Sequence, residues 1–425
     1  MKDGALKLGE TSDSPQETKT GPESSALFRS LGWVGAGRAV AAAGTLARYA
    51  VFARLLSPYQ FGVFGAAMFV LDLLTAAMDP SFDNALVQRK EEVGPFLDTY
   101  WVASLVRGIL TVVVLVCAAA PLATFFRQAQ AYRVFWAIAP LALLRATQSP
   151  AQVALYRRLE FHVSFILVTV ELITSFAVGI VAILLWRDWR GLVAAATAGQ
   201  AARTALTYWY FPYRPRMRFN LQRARQLLSF GGWVSATRLL RFLSQQLDNL
   251  TVAHLLGPRS LGDYQMAFRL GEMPAREFAQ SVSLVSFAMV PRMNDRASRN
   301  RLFVITTVAI ATVGLVYTAV MFRWGEPLVE LALGKQWIGA LPPLRLLCLY
   351  GLFQGVLILA RSFLDGLGAP SSSFSVTSIR AAVLAITIYP ATAWYGAVGA
   401  AGAGLFSVMV PLPVTWMLFR RASRS

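Results

Sequence analysis

The sequence predicts an all-α polytopic membrane protein of about 12 transmembrane helices, in two pseudo-symmetric six-helix bundles around a central cavity. Three observations support this prediction. Of the 425 residues, 56% are hydrophobic and only 15% are charged, and the mean hydropathy is +0.51. Soluble domains are less apolar and about one quarter charged. Long apolar stretches recur between short polar breaks, and the second half of the chain repeats residues of the first.

A helix that crosses a bilayer needs about 20 mainly apolar residues. The predicted spans are 27–56, 60–88, 98–123, 131–156, 161–186, 190–212, 227–256, 260–290, 301–324, 338–364, 370–395 and 397–419. Arg145, Arg203 and the Arg276/Glu277 pair interrupt the fourth, sixth and eighth spans. The predicted organisation is a disordered cytoplasmic tail (1–26), an N-terminal lobe (27–212), a basic cytoplasmic linker (213–226), a C-terminal lobe (227–419) and a basic cytoplasmic tail (420–425).

The net charge of +18 comes from Lys and Arg that are spread between apolar stretches. No compact basic domain or RNA-binding signature is present, so we predict no nucleic-acid partner. Lys and Arg concentrate in alternate connecting segments, above all in the linker 213–226. The positive-inside rule then predicts a multi-pass protein with both termini in the cytoplasm. The linker arginines either only set this topology or also bind membrane lipids with acidic headgroups.

The sequence offers little for catalysis or metal binding. Cys117 and Cys348 are far apart in apolar stretches, which suggests neither a disulfide framework nor a zinc cluster. There is no P-loop and no HExxH motif, and His162 and His254 are the only histidines. A membrane glycosyltransferase or polymerase would need acidic metal-binding pairs in a sizeable extramembrane domain, and none is evident. We therefore predict no catalytic residue, no metal and no cofactor.

An internal repeat appears when the chain is shifted by 200 residues along itself. The residues that match the residue 200 positions later are Gly32, Trp33, Val34, Ala36, Arg38, Ala53, Leu55, Leu56, Pro58, Gly62 and Ala67. Six helices per copy is an even number, so the copies would be related by an axis along the membrane normal. Transporters of this design form their substrate site between the two halves.

Charged residues at bilayer depth cost roughly 3 kcal/mol each, so by default they face a wet cavity or a partner. One polar stripe at 100° per residue on the seventh span comprises Arg238, Arg241, Gln245, Asp248 and Asn249. The repeat places Arg38, Ala41, Thr45, Arg48 and Tyr49 at the equivalent positions of the first span. Further intramembrane candidates are Asp72, Asp79, Asp83, Arg107, Arg145, Glu171, Arg269, Glu272 and Arg361.

From these patterns we predict a cationic lumen. The predicted anion-binding residues are Arg38, Arg48, Arg145, Arg238 and Arg241. The predicted polar or coupling residues are Thr45, Tyr49, Asp79, Asp83, Gln245, Asp248 and Asn249. Arg48 and Asp248 either pair across the two halves or are a charge swap at positions that do not touch. Guanidinium groups bind phosphate bidentately, so the lumen suits an amphiphile with an anionic head, such as a lipid-linked pyrophosphate sugar.

Two groups of motifs carry a family resemblance. The first half contains Ala53-Arg54-Leu55-Leu56-Ser57-Pro58-Tyr59-Gln60-Phe61-Gly62-Val63-Phe64 and Asn84-Ala85-Leu86-Val87-Gln88-Arg89. The second half contains Asp248-Asn249, Leu255-Leu256-Gly257-Pro258, Leu261-Gly262-Asp263-Tyr264, Ala267 and Pro291-Arg292. These motifs resemble those of Wzx-type polysaccharide-repeat-unit flippases, in the colanic-acid or exopolysaccharide branch of the multidrug/oligosaccharidyl-lipid/polysaccharide exporter superfamily.

The resemblance implies two V-shaped six-helix lobes in a bacterial inner membrane. It also implies a substrate, an undecaprenyl-pyrophosphate-linked oligosaccharide that moves from the inner to the outer leaflet, and suggests polysaccharide polymerase or export machinery as partners. The family has no fixed catalytic motif to transfer. A drug/cation antiporter of the same superfamily is the alternative, in which Asp79, Asp83 or Asp248 would bind Na⁺ or H⁺. Lumenal arginines would repel cationic drugs. A peptidoglycan precursor, also a lipid pyrophosphate, is another candidate substrate.

Overall fold

The computed structural model describes residues 41–79, 82–83, 86, 93–127, 131–153, 161–293 and 295–422, and all regular structure in these ranges is helical. This confirms the predicted all-α class. Within the described residues, the α-helices longer than three residues are α1 (described over 41–55), α2 (Pro58–Met78), α3 (Gly94–Cys117), α4 (Ala119–Phe125), α5 (Tyr132–Ala146), α6 (Phe161–Trp186), α7 (Trp189–Tyr210), α8 (Leu221–Met289), α9 (Arg296–Ala332), α10 (Leu341–Gly366), α11 (Pro370–Met409) and α12 (Pro411–Ala422). The predicted tail 1–26 and Arg38 lie outside the described residues.

Helix starts follow local chemistry. Proline occupies the first turn of α2, α3, α10 and α11, where its missing N–H costs no hydrogen bond. Side chains cap three other helices: Asp188 accepts from the backbone N–H of Arg190, Asn220 from that of Arg223, and Asp295 from that of Ala297. These signals place the helix starts at the polar breaks seen in the sequence.

Helix α8 is two arms that fold back on each other at Gly257. Gly257 has φ +76° and ψ −176°, a conformation that glycine adopts readily, and Pro258 follows it. The Tyr264 hydroxyl donates to Asp248 at 2.9 Å, although in a straight helix these residues would be about 24 Å apart. The two arms are therefore antiparallel, as the predicted seventh and eighth spans require. Helix α11 turns in the same way at Gly396, with φ +61° and ψ −143°.

Six helical segments within the described residues are long and apolar enough to cross a membrane. They are Pro58–Met78, Gly94–Cys117, His162–Trp186, Arg296–Ala332, Lys335–Gly366 and Ser371–Arg421. These segments support a polytopic membrane protein. The α5 helix has only 15 residues, and α7 carries Arg190 and Arg203. The total of about 12 spans, their division into two bundles and the domain boundaries stay predictions.

The two halves of the chain, 27–212 (the N half) and 227–419 (the C half), meet where α2 crosses the second arm of α8. A β-carbon at Gly62 would overlap the carbonyl oxygen of Pro258, and a β-carbon at Gly262 would overlap the carbonyl oxygen of Pro58. Only glycine permits this backbone approach. The two contacts are equivalent under the 200-residue offset of the sequence repeat. Each helix therefore contributes both a glycine and a proline carbonyl to the crossing.

Further contacts close the same end of the interface. The buried Trp337 donates from Nε1 to the carbonyl of Ala53 at 2.8 Å, and its ring meets Phe61 edge-on with centroids 5.2 Å apart. Gln336 Nε2 also donates to the Ala53 carbonyl, at 2.8 Å. The segment Lys335–Ala340 of the C half is therefore bound to the end of α1. Together with the Gly62/Gly262 crossing, these contacts form what we call the Pro58/Pro258 closure.

The basic linker docks on the start of α3. The Tyr213 hydroxyl donates to Asp98, whose Oδ1 also accepts from the backbone N–H of Arg216 at 2.8 Å. Burial and the neighbouring Asp98 carboxylate raise the pKa of Tyr213. The backbone N–H of Asn220 donates to Thr99 Oγ1 at 3.3 Å. The segment between the halves therefore has specific partners in the N half.

Candidate functional site

A cavity of about 800 Å³ lies between the two halves. Helices α1, α2, α5, α6 and α7 of the N half face α8, α10 and α11 of the C half across it. Charged groups in this wall are unusual because each would be costly in lipid. Among the described residues the cavity is lined by six arginines and three carboxylates, namely Arg48, Arg145, Arg269, Arg276, Arg361, Arg380, Asp72, Glu171 and Glu272.

Arg48 and Arg269 converge on one tyrosine from opposite halves. The guanidinium carbon of Arg269 lies 4.0 Å from the ring centroid of Tyr49, and that of Arg48 lies 5.2 Å from it. Arg48 also donates from Nη1 to Ser175 Oγ at 2.8 Å. Within the described part of the chain, neither arginine has a carboxylate at ion-pair distance. The two cations are therefore held in place by neutral partners, and their charge is not compensated.

Arg361 and Arg380, both in the C half, also have neutral hydrogen-bond partners. Arg361 donates to Thr377 Oγ1 at 3.1 Å, and Arg380 donates to the Tyr350 hydroxyl at 2.9 Å. The Nε atom of each is buried and has no hydrogen-bond acceptor among the residues described. Neither forms an ion pair with a described carboxylate. Arg361 and Arg380 therefore add to the positive charge of the C-half wall.

Other charges in the wall are paired. Arg145 bonds to Asp72 at 2.6 Å, Arg276 to Glu272 at 3.1 Å, and the Glu171 carboxylate accepts from Arg203 at 2.8 Å. These pairs largely cancel one another at long range. The excess charge of the cavity therefore comes from Arg48, Arg269, Arg361 and Arg380, the four lining arginines that form no ion pair with a residue the structure describes.

The structure brings together some of the predicted site residues. Arg48, Tyr49, Arg145, Gln245 and Asn249 line the cavity. The further candidates Asp72, Glu171, Arg269, Glu272 and Arg361 line it as well. The insertion-cost argument could also have found Arg380, which sits inside the apolar span 370–395 but was not singled out.

Arg238 and Arg241 are predicted to line the cavity, but the structure places neither of them in its lining. Arg238 bonds to Asp79 of the N half, and Asp79 also accepts from Arg107 at 2.8 Å. Arg241 is exposed and does not line the cavity. Asp79 is thus a shared partner of two arginines that links α3 and α8 to the end of α2.

The remaining predicted polar residues also lie outside the cavity lining. Thr45 is partly buried on α1, and Asp83 is hydrogen bonded to Tyr100. Asp248 is 6% exposed, and it accepts from Tyr264 and from the backbone of Asn249. Arg48 and Asp248 therefore have separate partners and do not form the ion pair that was one of two possibilities.

The chain matches a family model described as polysaccharide biosynthesis protein over residues 51–342. It is 23% identical over 321 residues to the lipopolysaccharide biosynthesis protein WzxC of Escherichia coli (strain K12), covering 73% of this chain and 64% of that protein. It is 25% identical over 387 residues to the succinoglycan biosynthesis transport protein ExoT of Rhizobium meliloti (strain 1021), covering 88% and 76%.

Two solved structures share the fold. The lipid II flippase MurJ in an inward closed conformation superposes with a TM-score of 0.71 at 17% identity, covering 91% of this chain and 89% of that one. An inward-facing multidrug resistance MATE family transporter of the MOP superfamily gives 0.69 at 15% identity, covering 90% and 95%. The family match spans more than half of the chain. This chain belongs to the polysaccharide biosynthesis protein family.

Proposed function

We propose that this protein is a flippase that carries a lipid-linked oligosaccharide, with an undecaprenyl-pyrophosphate carrier, across a bacterial inner membrane. The observation that carries the proposal is the pair Arg48 and Arg269, two cations that both lie against Tyr49 in the cavity between the halves and that have no ion-pair partner among the described residues. The names of WzxC and ExoT, which refer to lipopolysaccharide and succinoglycan biosynthesis, support it.

A pyrophosphate fits this part of the cavity chemically. It is a compact anion with many acceptor oxygens, and an arginine presents several N–H donors in a planar fork. Hydrogen bonds to charged groups contribute about 1.5–3 kcal/mol each. Arg48 and Arg269 lie on opposite halves, so an anion bound between them would join the two walls. The anion would also supply the negative charge that no described carboxylate brings to either arginine.

The cavity suits the head of such a lipid by its volume, and its polar lining is unsuited to the tail. Ligand pockets of about 300–1,000 Å³ hold drug-sized molecules, and this one has about 800 Å³. The sugars and the pyrophosphate are too polar for the hydrocarbon core, whereas the isoprenoid chain is stable there. The protein would therefore enclose the head and leave the tail in lipid.

Alternating access would complete the transfer. With both termini in the cytoplasm, as the distribution of Lys and Arg predicts, the Pro58/Pro258 closure faces the outside. The conformation described here is then closed to the outside. Release of the substrate would require α2 and the second arm of α8 to separate at Gly62 and Gly262.

The competing function is drug or cation antiport, because transporters of the MATE family share the fold. The charge of the cavity argues against it. Six lining arginines against three carboxylates make a wall that repels cations. A lipid-linked peptidoglycan precursor has the same pyrophosphate chemistry as a polysaccharide precursor, so the experiment must separate these two lipids.

The test is translocation by the purified protein in vesicles. Three fluorescent substrates would be compared: an isoprenyl pyrophosphate oligosaccharide, a lipid-linked peptidoglycan precursor and a cationic dye. We expect the first to cross, and the double variant Arg48→Gln/Arg269→Gln to abolish its crossing. Arg190→Gln is the matched control, because that side chain is 56% exposed and pairs with Asp188 outside the cavity. Transport of only the dye would overturn the proposal, and transport of only the precursor would reassign the substrate.

A further inference from the structure

Amide side chains are concentrated on one wall of the cavity. Among the described lining residues, the C half contributes Gln245, Gln246, Asn249, Gln265, Gln280 and Gln354, whereas the N half contributes Gln200. The N-half wall instead carries Phe52, Phe61, Phe64 and Phe69. The cavity therefore has a wall rich in hydrogen-bonding groups opposite a wall rich in aromatic rings.

Two of these amides hold buried acceptor atoms that lack a donor. Gln354 is 7% exposed and Asn249 is 9% exposed, and no donor in the described structure reaches Gln354 Oε1 or Asn249 Oδ1. Asn249 is oriented by its other amide atom, because Nδ2 donates to Gln246 Oε1 at 2.7 Å. A buried carbonyl oxygen without a donor is destabilising, and native proteins contain few of them. These two oxygens therefore favour a ligand that brings donors.

Two parts of the proposed substrate cannot donate a hydrogen bond to these oxygens. A pyrophosphate has acceptor oxygens only, so amide oxygens would repel it, and an isoprenoid chain has no polar hydrogen at all. Sugar hydroxyls both donate and accept, as an amide group does. Aromatic rings on the same wall, Phe268 and Tyr350 with centroids 5.6 Å apart, offer flat apolar faces beside the amides. Polar edges and apolar faces together match a sugar ring.

We propose that Asn249 and Gln354 belong to a subsite that binds the hydroxyl groups of the glycan, separate from the pyrophosphate position at Arg48 and Arg269. The inference rests on the proposed function and assigns its sugar-recognising wall to the C half. Both oxygens are enclosed in the present conformation, so contact requires rotation of each side-chain amide, whose terminal torsion is broad. In Asn249 this rotation exchanges the hydrogen bond to Gln246 Oε1 for one from the ligand. A site built to bond hydroxyls discriminates strongly against a ligand that lacks them.

The test compares two soluble probes of the purified protein in detergent. One is a ten-carbon isoprenyl pyrophosphate that carries a neutral hexose disaccharide, and the other is the same isoprenyl pyrophosphate without sugar. The measured quantity is the ratio of their dissociation constants. The variants are Asn249→Leu, Gln354→Met and the double variant that combines them. Both substitutions keep the approximate size of the side chain and remove the amide. The control is Gln222→Met, because Gln222 is exposed on the first turn of α8.

We expect the wild-type protein to prefer the glycosylated probe by about tenfold or more, and the double variant to lose most of that preference. Equal affinity of the wild type for both probes, or an unchanged ratio in the double variant with a normal melting temperature, would overturn the subsite. Failure of the wild type to bind either probe would instead contradict the proposed function. If the double variant is unstable, the ratio in the single variants decides the question in the same way.

Discussion

Gly62 and Gly262 lie against each other where α2 crosses the second arm of α8, and each faces the carbonyl oxygen of the proline that precedes the other by four residues. Such a reciprocal contact is the interface expected from a twofold relation between two copies. It gives a structural reason for the matching Pro and Gly residues at the 200-residue offset. The close backbone approach leaves no room for a side chain at either position.

The first prediction concerns this crossing. Gly62→Ala or Gly262→Ala should destabilise the protein by about 1–3 kcal/mol or more, because the new methyl group overlaps backbone that cannot rotate away. Gly402→Ala is the matched control, since a β-carbon at that helical position meets no atom within 4 Å. The measurement is the melting temperature in detergent. Equal melting temperatures for the three variants would show that the two helices do not approach as described.

The second prediction concerns Asp79, which bonds to Arg107 and Arg238. Asp79→Asn should cost about 3 kcal/mol, because it leaves two partly buried guanidinium groups without their carboxylate. Arg238→Gln should cost less, since Asp79 keeps Arg107. The control is Glu330→Gln, which removes an exposed pair with Lys335 and should change stability by less than about 1 kcal/mol. A smaller loss for Asp79→Asn than for Glu330→Gln would contradict the assigned pairing.

The polar stripe on the seventh span is only partly located in the cavity. Arg238, Arg241, Gln245, Asp248 and Asn249 do follow helical spacing on the first arm of α8, yet only Gln245 and Asn249 line the cavity. A stripe defines a face of a helix but neither its depth nor the partner opposite each residue. Arg238 lies about 10 Å along the axis from Gln245, far enough to reach Asp79 instead.

The cost of placing a charged residue in the bilayer predicts the cavity residues better than the helical stripe does. The cavity brings together five charged residues that lie inside predicted apolar spans, namely Asp72, Arg145, Glu171, Arg269 and Glu272. The same signal also selected Asp79 and Arg107, which satisfy each other outside the cavity. A charge in a span therefore predicts a polar environment, whereas the choice between a cavity and an ion pair depends on tertiary packing.

The fold-back of α8 is predictable from the sequence, because Gly257-Pro258 separates the predicted spans 227–256 and 260–290. The cross-half bonds of Trp337 and Gln336 to the Ala53 carbonyl were not, since nothing local in either segment identifies the other.

The third prediction concerns pH and the start of α9. Asp295 accepts from the backbone N–H groups of Ala297 and Ser298, and these hydrogen bonds lower the pKa of its carboxyl group. Its stabilising effect is therefore present above the usual pKa of an aspartate and is lost as the pH falls through the lowered value. Amide hydrogen exchange in the first turn of α9 should speed up, relative to intrinsic rates, upon acidification. Asp295→Ala should exchange fast at every pH, and an unchanged wild-type-like profile in this variant would contradict the cap.

The fourth prediction concerns the buried contact between the arms of α8. Tyr264→Phe removes the hydroxyl that donates to Asp248, a carboxyl group that is 6% exposed. The loss should destabilise the protein by about 1–3 kcal/mol, because the partner is left without one of its donors. Tyr389→Phe is the control, since that ring is 59% exposed. Chemical denaturation measures both, and an equal effect of the two variants would contradict the assigned hydrogen bond.

The most direct test of the central claim is the affinity of the purified protein for a ten-carbon isoprenyl pyrophosphate, measured by calorimetry. The account predicts that Arg48→Gln and Arg269→Gln each weaken binding by about tenfold or more, since each removes charge-assisted hydrogen bonds to the anion. Arg190→Gln should bind like the wild type. Full affinity in the Arg48→Gln/Arg269→Gln double variant would contradict the claim that these two uncompensated cations bind the pyrophosphate.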